Sequence, residues 1–155
     1  MRALAIVFLA ALLLPAPAEA KKLHCTLRAH VEANAHDGEV FATQWRSPAT
    51  GRMVVIEKVP TISELDVVAF RPYPAADGSY GVLFVLDDHG RLALDTLSVE
   101  HRGTYLYVFV NGRPLAELQI DRRITDGRLY LASGLTSADL ELMKKDWPIL
   151  GARKR

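Results

Sequence analysis

The sequence contains a single cysteine, Cys25. No intramolecular disulfide can form, and a lone thiol in an oxidising compartment is either buried or an intermolecular liability. Cys25 falls on the apolar side of an alternating run and is expected to be buried. No apolar stretch reaches the roughly 20 residues that a membrane-spanning helix needs. The longest, Ala3–Leu14, follows Met1-Arg2 and leads through Pro15-Ala16-Pro17 into Ala18-Glu19-Ala20. That is the layout of a secretory signal peptide with an A-x-A cleavage site. Residues 1–20 are therefore expected to be removed, the mature chain to start at Lys21 in the periplasm or secreted medium, and no membrane insertion to follow. An excess of either charge is also missing. Nineteen Lys and Arg face 18 Asp and Glu, for a net charge of +1, which excludes the basic footprint of a nucleic-acid partner. Internal repeats and low-complexity segments are absent.

About 135 residues remain, enough for one domain. Residues 23–34, LHCTLRAHVEAN, alternate strictly, with Leu23, Cys25, Leu27, Ala29, Val31 and Ala33 on one side. Period two predicts a half-buried strand. EVFATQW and RMVVIEKV predict two more, separated by RSPATG. Thr61 and Glu64 have capping-box spacing. In DVVAFRPY, Pro72 and Pro74 confine an extended segment to a sheet edge. YGVLFVLD predicts an apolar strand, Asp88 a cap, and 89–102 a helix with Leu94 and Leu97 inward and Gly103 as its stop. TYLYVFV and RPLAELQI flank Asn111-Gly112, a hairpin signal whose type I′ turn needs positive φ at both residues. RLYLAS is a further strand, with Gly134 expected to break it. Thr136 and Asp139 open a last helix, with Leu135 and Leu140 as its hydrophobic staple and Pro148 as its end. The expectation is an α+β fold: a largely antiparallel sheet with two main helices on one face, preceded by N-terminal strands. Residues 21–148 would form the domain and 149–155 a basic flexible tail.

Catalytic and metal-binding patterns are equally sparse. Of the histidines at 24, 30, 36, 89 and 101, His24 and His30 share a strand face but stand roughly 20 Å apart at strand rise. His36 beside Asp37 would need a distant partner to hold an ion. Asp87-Asp88 and Glu100-His101 are neighbours that do not face one another. Ser98 and His101 share a helix face without a serine elbow, and Cys25 has no activating partner. No catalytic residue, metal or cofactor is expected, and the protein is read as a non-enzyme.

From Tyr80 to Met143 the chain resembles the head subdomain of the first periplasmic domain of SecD, a protein-export membrane protein. The residues that carry the resemblance are the strand Val82–Leu86, Gly90 at a helix start, Leu94, Leu97 and the stop Gly103. They continue through Leu106, Val108 and Val110 into Asn111-Gly112, then Leu115, Ile120, Ile124, Gly127-Arg128, Leu131 and Leu135-Thr136. The SecD-like part would cover about 52–147, with 23–50 supplying the N-terminal strands. The chain departs from the family pattern at Leu118, where a proline is usual, and at Asp126-Gly127, where a glycine pair is usual. SecD also continues into several transmembrane helices that this sequence does not show. The resemblance thus implies a fold and a binding role rather than an export motor. Gly90, Gly103, Asn111, Gly112, Gly127 and Gly134 are read as turn and packing positions that determine the fold.

What remains is a surface. On TYLYVFV, Tyr105, Tyr107 and Phe109 face one way, and neighbouring strands add Phe84 and Tyr130. These five are the candidate binding face: an aromatic groove that would hold an extended polypeptide or an envelope protein by stacking and by strand addition at an open edge. Alternatively the N-terminal strands cover that face and the protein is a structural or assembly subunit. A hydrolase is the third reading.

Overall fold

The computed structural model describes residues 22–34 and 36–152; the expected signal segment, residues 1–20, and residues 153–155 lie outside them. The four-stranded sheet contains β1 (Leu27–Val31), β4 (Ile62–Ser63), β7 (Tyr105–Val110) and β8 (Arg113–Gln119) in the order β4-β1-β7-β8. The hairpin β2 (Ala42–Arg46) and β3 (Met53–Glu57) is a two-stranded sheet of its own, and β5 (Val67–Pro74), β6 (Tyr80–Leu86) and β9 (Arg128–Leu135) form a third in the order β5-β6-β9. The strand pairings are antiparallel. Two helices, α1 (Asp88–Glu100) and α2 (Ser137–Asp146), complete the antiparallel α+β fold. The single expected sheet is thus divided, and β1 is not a preceding layer. It is inserted between β4 and β7, where Leu27, Ala29 and Val31 join Leu106, Val108 and Val110 in one core with Leu94, Leu97, Phe84, Leu131 and Met143.

The strand expected over 23–34 is shorter because side chains take over its backbone. The Asp146 carboxylate accepts the N–H groups of His24 and Cys25 at 2.6 and 2.8 Å, and Asn111 Oδ1 accepts that of Thr26 at 3.1 Å. Cys25 is fully buried. Burial, followed by the nearby charges of Asp139 and Asp146, pushes its thiol pKa up to about 12, so the sulfur stays protonated and unreactive.

The local signals place the other elements with two corrections. Asp87, not Asp88, is the N-cap of α1: its backbone is extended and its carboxylate accepts the Gly90 N–H at 2.8 Å, while Asp88 is already helical. Gly90 packs tightly there, since a Cβ would lie 2.8 Å from Asp66 Cβ. Gly134 does not end β9. It bends it, at φ +98°, where the register against β6 shifts between Tyr80 and Val82 and a Cβ would press on Leu115 of β8 at 3.0 Å. The two sheets meet at this bend. The expected tail also starts later than 149. Leu150 N–H donates to Phe70 O at 2.7 Å and Phe70 N–H to Pro148 O at 3.1 Å, so residues 148–150 lie parallel to β5.

In the β7–β8 turn, Asn111 and Gly112 have φ +50° and +75°, the type I′ signature that the sequence predicts. No atom lies within 4 Å of a Cβ built on Gly112, so any cost of substitution there is conformational. Gly112→Val should lower stability by more than about 1 kcal/mol. A denaturant midpoint displaced from wild type, with an unchanged slope, is the expected result.

Candidate interaction surface

The five expected surface aromatics divide into three environments. Phe84 does not belong to the surface. In β6, Val82, Phe84 and Leu86 are the buried side, and the Phe84 ring meets Trp147 edge-on at 5.9 Å. In β6 the side that faces the core carries Phe84, whereas in β7 it carries Leu106, Val108 and Val110, which leaves the β7 aromatics on the opposite face. Tyr107 and Phe109 do occupy that opposite face, but β2 and β3 fold over it. Trp45 of β2 contacts both rings, at 5.2 and 5.3 Å between centroids, and Phe109 also meets His30 at 5.5 Å. Tyr107 is only 2% exposed, and its hydroxyl donates to Glu32 Oε1 at 2.8 Å. Burial and that neighbouring carboxylate raise the Tyr107 pKa, so the phenol stays neutral. Tyr105 stands at the margin of the covered face, partly exposed. Tyr130, the most exposed of the five, belongs to the other sheet, where it stacks on Tyr73 at 5.3 Å and 5°.

The backbone contacts of the hairpin with the four-stranded sheet run along β3. Ala33 N–H donates to Val55 O at 2.9 Å, and His30 Nδ1 lies 2.8 Å from Glu57 O. These contacts use the outward backbone of β3. Lys58 N–H to Phe41 O and Ser47 N–H to Arg52 O bracket the ladder to β2, so the backbone groups of β2 alternate inward at 41, 43, 45 and 47 and outward at 42, 44 and 46. Ala42 N–H is satisfied by Gly38 O. The outward groups of Gln44 and Arg46 have no backbone partner among the described residues, and both residues are exposed. Between this edge and β8 runs a groove of about 360 Å³, lined by Trp45, Pro48, Ala49, Pro114, Leu115 and Glu117. Glu117 is held at its side, accepting both the Ser47 hydroxyl, at 2.7 Å, and the Ala49 N–H.

Trp45, Gln44 and the groove escaped the sequence reading. EVFATQW was legible as a strand, but which neighbour it would pair with, and therefore which edge it would leave open, depends on contacts distant in sequence.

The structure also brings together three possible ligands, Asp66, Asp87 and His89, within 4.8 Å of one another. Each has a structural task. Asp66 closes a capping box with Ser63 on the single 3₁₀ turn Glu64–Asp66, Asp87 caps α1, and His89 Nδ1 pairs with Asp66 Oδ1 at 2.7 Å. Ser98 is likewise committed: its buried hydroxyl donates to Asp95 O and accepts the Ile124 N–H, which leaves no lone hydroxyl for attack.

Two measurements test this assignment. Tyr107→Ala should cost roughly 3–5 kcal/mol, as truncation of a buried aromatic does, whereas Tyr130→Ala should cost less than about 1 kcal/mol; thermal melts distinguish them. Asp66 raises the His89 pKa through the hydrogen bond and its charge. The pair's contribution is therefore complete below about 6.5, the ordinary histidine value, and is lost as pH rises through the raised folded value. Melts of wild type and His89→Gln should diverge below that window and converge above it.

No protein-family model matches the chain, and none of the curated proteins compared with it matches. Solved structures do. SecDF, a membrane component that enhances protein export, superposes with a TM-score of 0.54 at 13% identity over 84% of this chain and 69% of that one. SecDF in its super-membrane-facing form gives 0.51 at 16% identity over 76% of this chain and 18% of that one. Among the described residues no helix is long and apolar enough to cross a membrane. The chain has the SecD-periplasmic-domain-like fold that the residues from Tyr80 to Met143 implied.

Proposed function

We propose that the protein is a non-catalytic interaction module of the cell envelope, carried across the inner membrane by residues 1–20, that receives extended polypeptide by strand addition at β2. The observation that carries this reading is the open edge at Gln44 and Arg46, beside the groove of Trp45, Pro48 and Pro114. An extended chain placed there would gain a row of main-chain hydrogen bonds from Gln44 and Arg46. Alternate side chains would point into the groove, where a half-buried indole and two prolines supply apolar contact. Recognition through the backbone suits a partner without fixed sequence. The likeness to SecDF, a component that enhances protein export, supports a partner of this class. The site differs from the aromatic face that the sequence suggests, because β2 and β3 cover that face.

A second reading has its own observation. The burial of Tyr107 and Phe109 under the hairpin is what a structural or assembly subunit requires, and such a subunit would use β2 to join a folded envelope protein instead.

Gln44→Pro separates these ideas from the fold. It deletes an outward N–H and leaves the ladder to β3 intact, as edge positions allow, so stability should change by less than about 1 kcal/mol. Binding of a fluorescently labelled, reduced and carboxymethylated polypeptide should weaken at least about tenfold, while Gln44→Thr retains it. Equal affinity in Gln44→Pro and wild type would overturn strand addition at β2.

A further inference from the structure

The β5-β6-β9 sheet has two faces of different chemistry. One, with Phe70, Val82, Phe84 and Leu131, lies in the core. The register defines the other. Arg71 pairs with Leu83 and Leu83 with Tyr130, Val85 pairs with Arg128, and Tyr73 pairs with Gly81, and residues directly opposite each other share a face. Arg71, Arg128 and Tyr130 are exposed there, and Leu83 and Val85 are only half-buried, so this face lacks the covering layer that the core gives the first.

Leu83 and Val85, on the middle strand, are its apolar floor. The tyrosines form a wall at one end, set before any partner arrives: the Tyr73 ring lies over Gly81, which leaves no room for a Cβ, its hydroxyl donates to Leu131 O, and it stacks on Tyr130. Arg71 of β5 and Arg128 of β9 stand on the two flanks, about 10 Å apart at ordinary strand spacing. The Arg71 guanidinium reaches the sheet edge beside Gly151. Arg91, Arg113 and Arg123 each have a carboxylate within 3.6 Å; Arg71 and Arg128 form no ion pair with any described residue. None of the paired positions on this face is Asp or Glu. The carboxylates of the adjoining turns, Asp77 and Asp126, accept the N–H groups of Ser79 and Arg128.

A sheet face, unlike an edge, presents no main-chain donors or acceptors, so recognition falls to these side chains. They make an apolar strip between two unpaired positive charges, and the complement is an apolar residue flanked by carboxylates. Two guanidiniums on opposite flanks of an apolar strip are badly placed to converge on one phosphate. A second copy of the chain, meeting this face with its own, would bring the same positive charges and no carboxylate. We infer that this face docks an acidic segment of a partner protein, with an apolar residue on Leu83 and Val85 and carboxylates on Arg71 and Arg128, at a site separate from the β2 edge. Arginine and tyrosine are also the side chains that most often anchor such contacts.

The test is selection of a random dodecapeptide phage library on the immobilised mature chain, followed by an NMR titration of the ¹⁵N-labelled protein with the peptide that binds best. Selected peptides should be rich in Asp and Glu around Leu, Phe or Trp, and the shifts should centre on residues 69–73, 81–85 and 128–132. Reversing both charges, Arg71→Glu with Arg128→Glu, should leave the circular dichroism and melting midpoint unchanged and weaken binding at least about tenfold. The same peptide with Lys at its acidic positions should bind the reversed protein in preference to wild type, an exchange that a merely structural role for the arginines would not produce. Arg71→Gln and Arg128→Gln, each weakening binding about threefold, serve if the reversed protein does not fold. Gln44→Pro should bind the peptide as wild type does, which keeps failure here distinct from failure at β2. Selected peptides without acidic enrichment, shifts centred on β2 or Trp45, unchanged affinity in the folded arginine variants, or a face that binds phosphatidylglycerol vesicles or a second copy of the chain but no acidic peptide would overturn the inference.

Discussion

The arrangement depends on buried carboxylates that bind backbone, and Asp139 is the central one. It closes the Thr136 capping box at the start of α2, and it also accepts Asn111 Nδ2 at 2.8 Å and Arg113 Nη2 at 2.6 Å from the β7–β8 turn. Asn111 in turn holds the Thr26 N–H before β1. One side chain therefore ties a helix start, a hairpin turn and the first strand together. Burial disfavours its charge, but the bonds from Thr136, Asn111 and Arg113 outweigh that and hold its pKa below the usual carboxylate range. The stability it supplies is thus present above an aspartate's ordinary value of about 3.9 and is lost as pH falls through the lower folded value. Asp146 does the same for His24 and Cys25, and Asp66 joins the 3₁₀ turn to α1 through His89. Asp139, Asp146 and Asp66 are thus the fasteners of the fold.

These fasteners leave the sheets to be closed by covering and by capping. The aromatic face of β7 is large and apolar, and exposing it would leave a patch of a kind that soluble proteins reserve for partners. The β2–β3 hairpin removes it from water, with Trp45 wedged between Tyr107 and Phe109. That solution has a consequence. The hairpin is attached through the backbone of β3, and no described strand pairs with the outward side of β2. The protein thus exchanges an exposed aromatic face for an exposed edge.

The β5 edge is managed in the opposite way, with two prolines and a returning C-terminal segment that suppress pairing. The two edges consequently differ in what they can recognise. β2 offers donors and acceptors to an extended backbone, whereas β5 beyond Phe70 offers acceptors only.

Local structure was legible in the sequence because it is decided by local chemistry. Asn111-Gly112, the Thr136–Asp139 box and the prolines of β5 act within four residues through allowed φ, capping geometry and missing N–H groups, and each stands where the pattern puts it. The SecD-like stretch was legible for the same reason, since its matched residues are turns, caps and core aliphatics. The surface was not. Alternation shows that Tyr107 and Phe84 each take one side of a strand, but not which side meets the core, because period two gives both sides of an apolar strand the same pattern. That Phe84 packs on Trp147, that β2 and β3 cover Tyr107, and that Gln44 is left at an open edge follow from pairings between residues far apart in the chain. Such pairings are set by the competition of every apolar face for the same core, so only the tertiary structure decided where this protein can be touched.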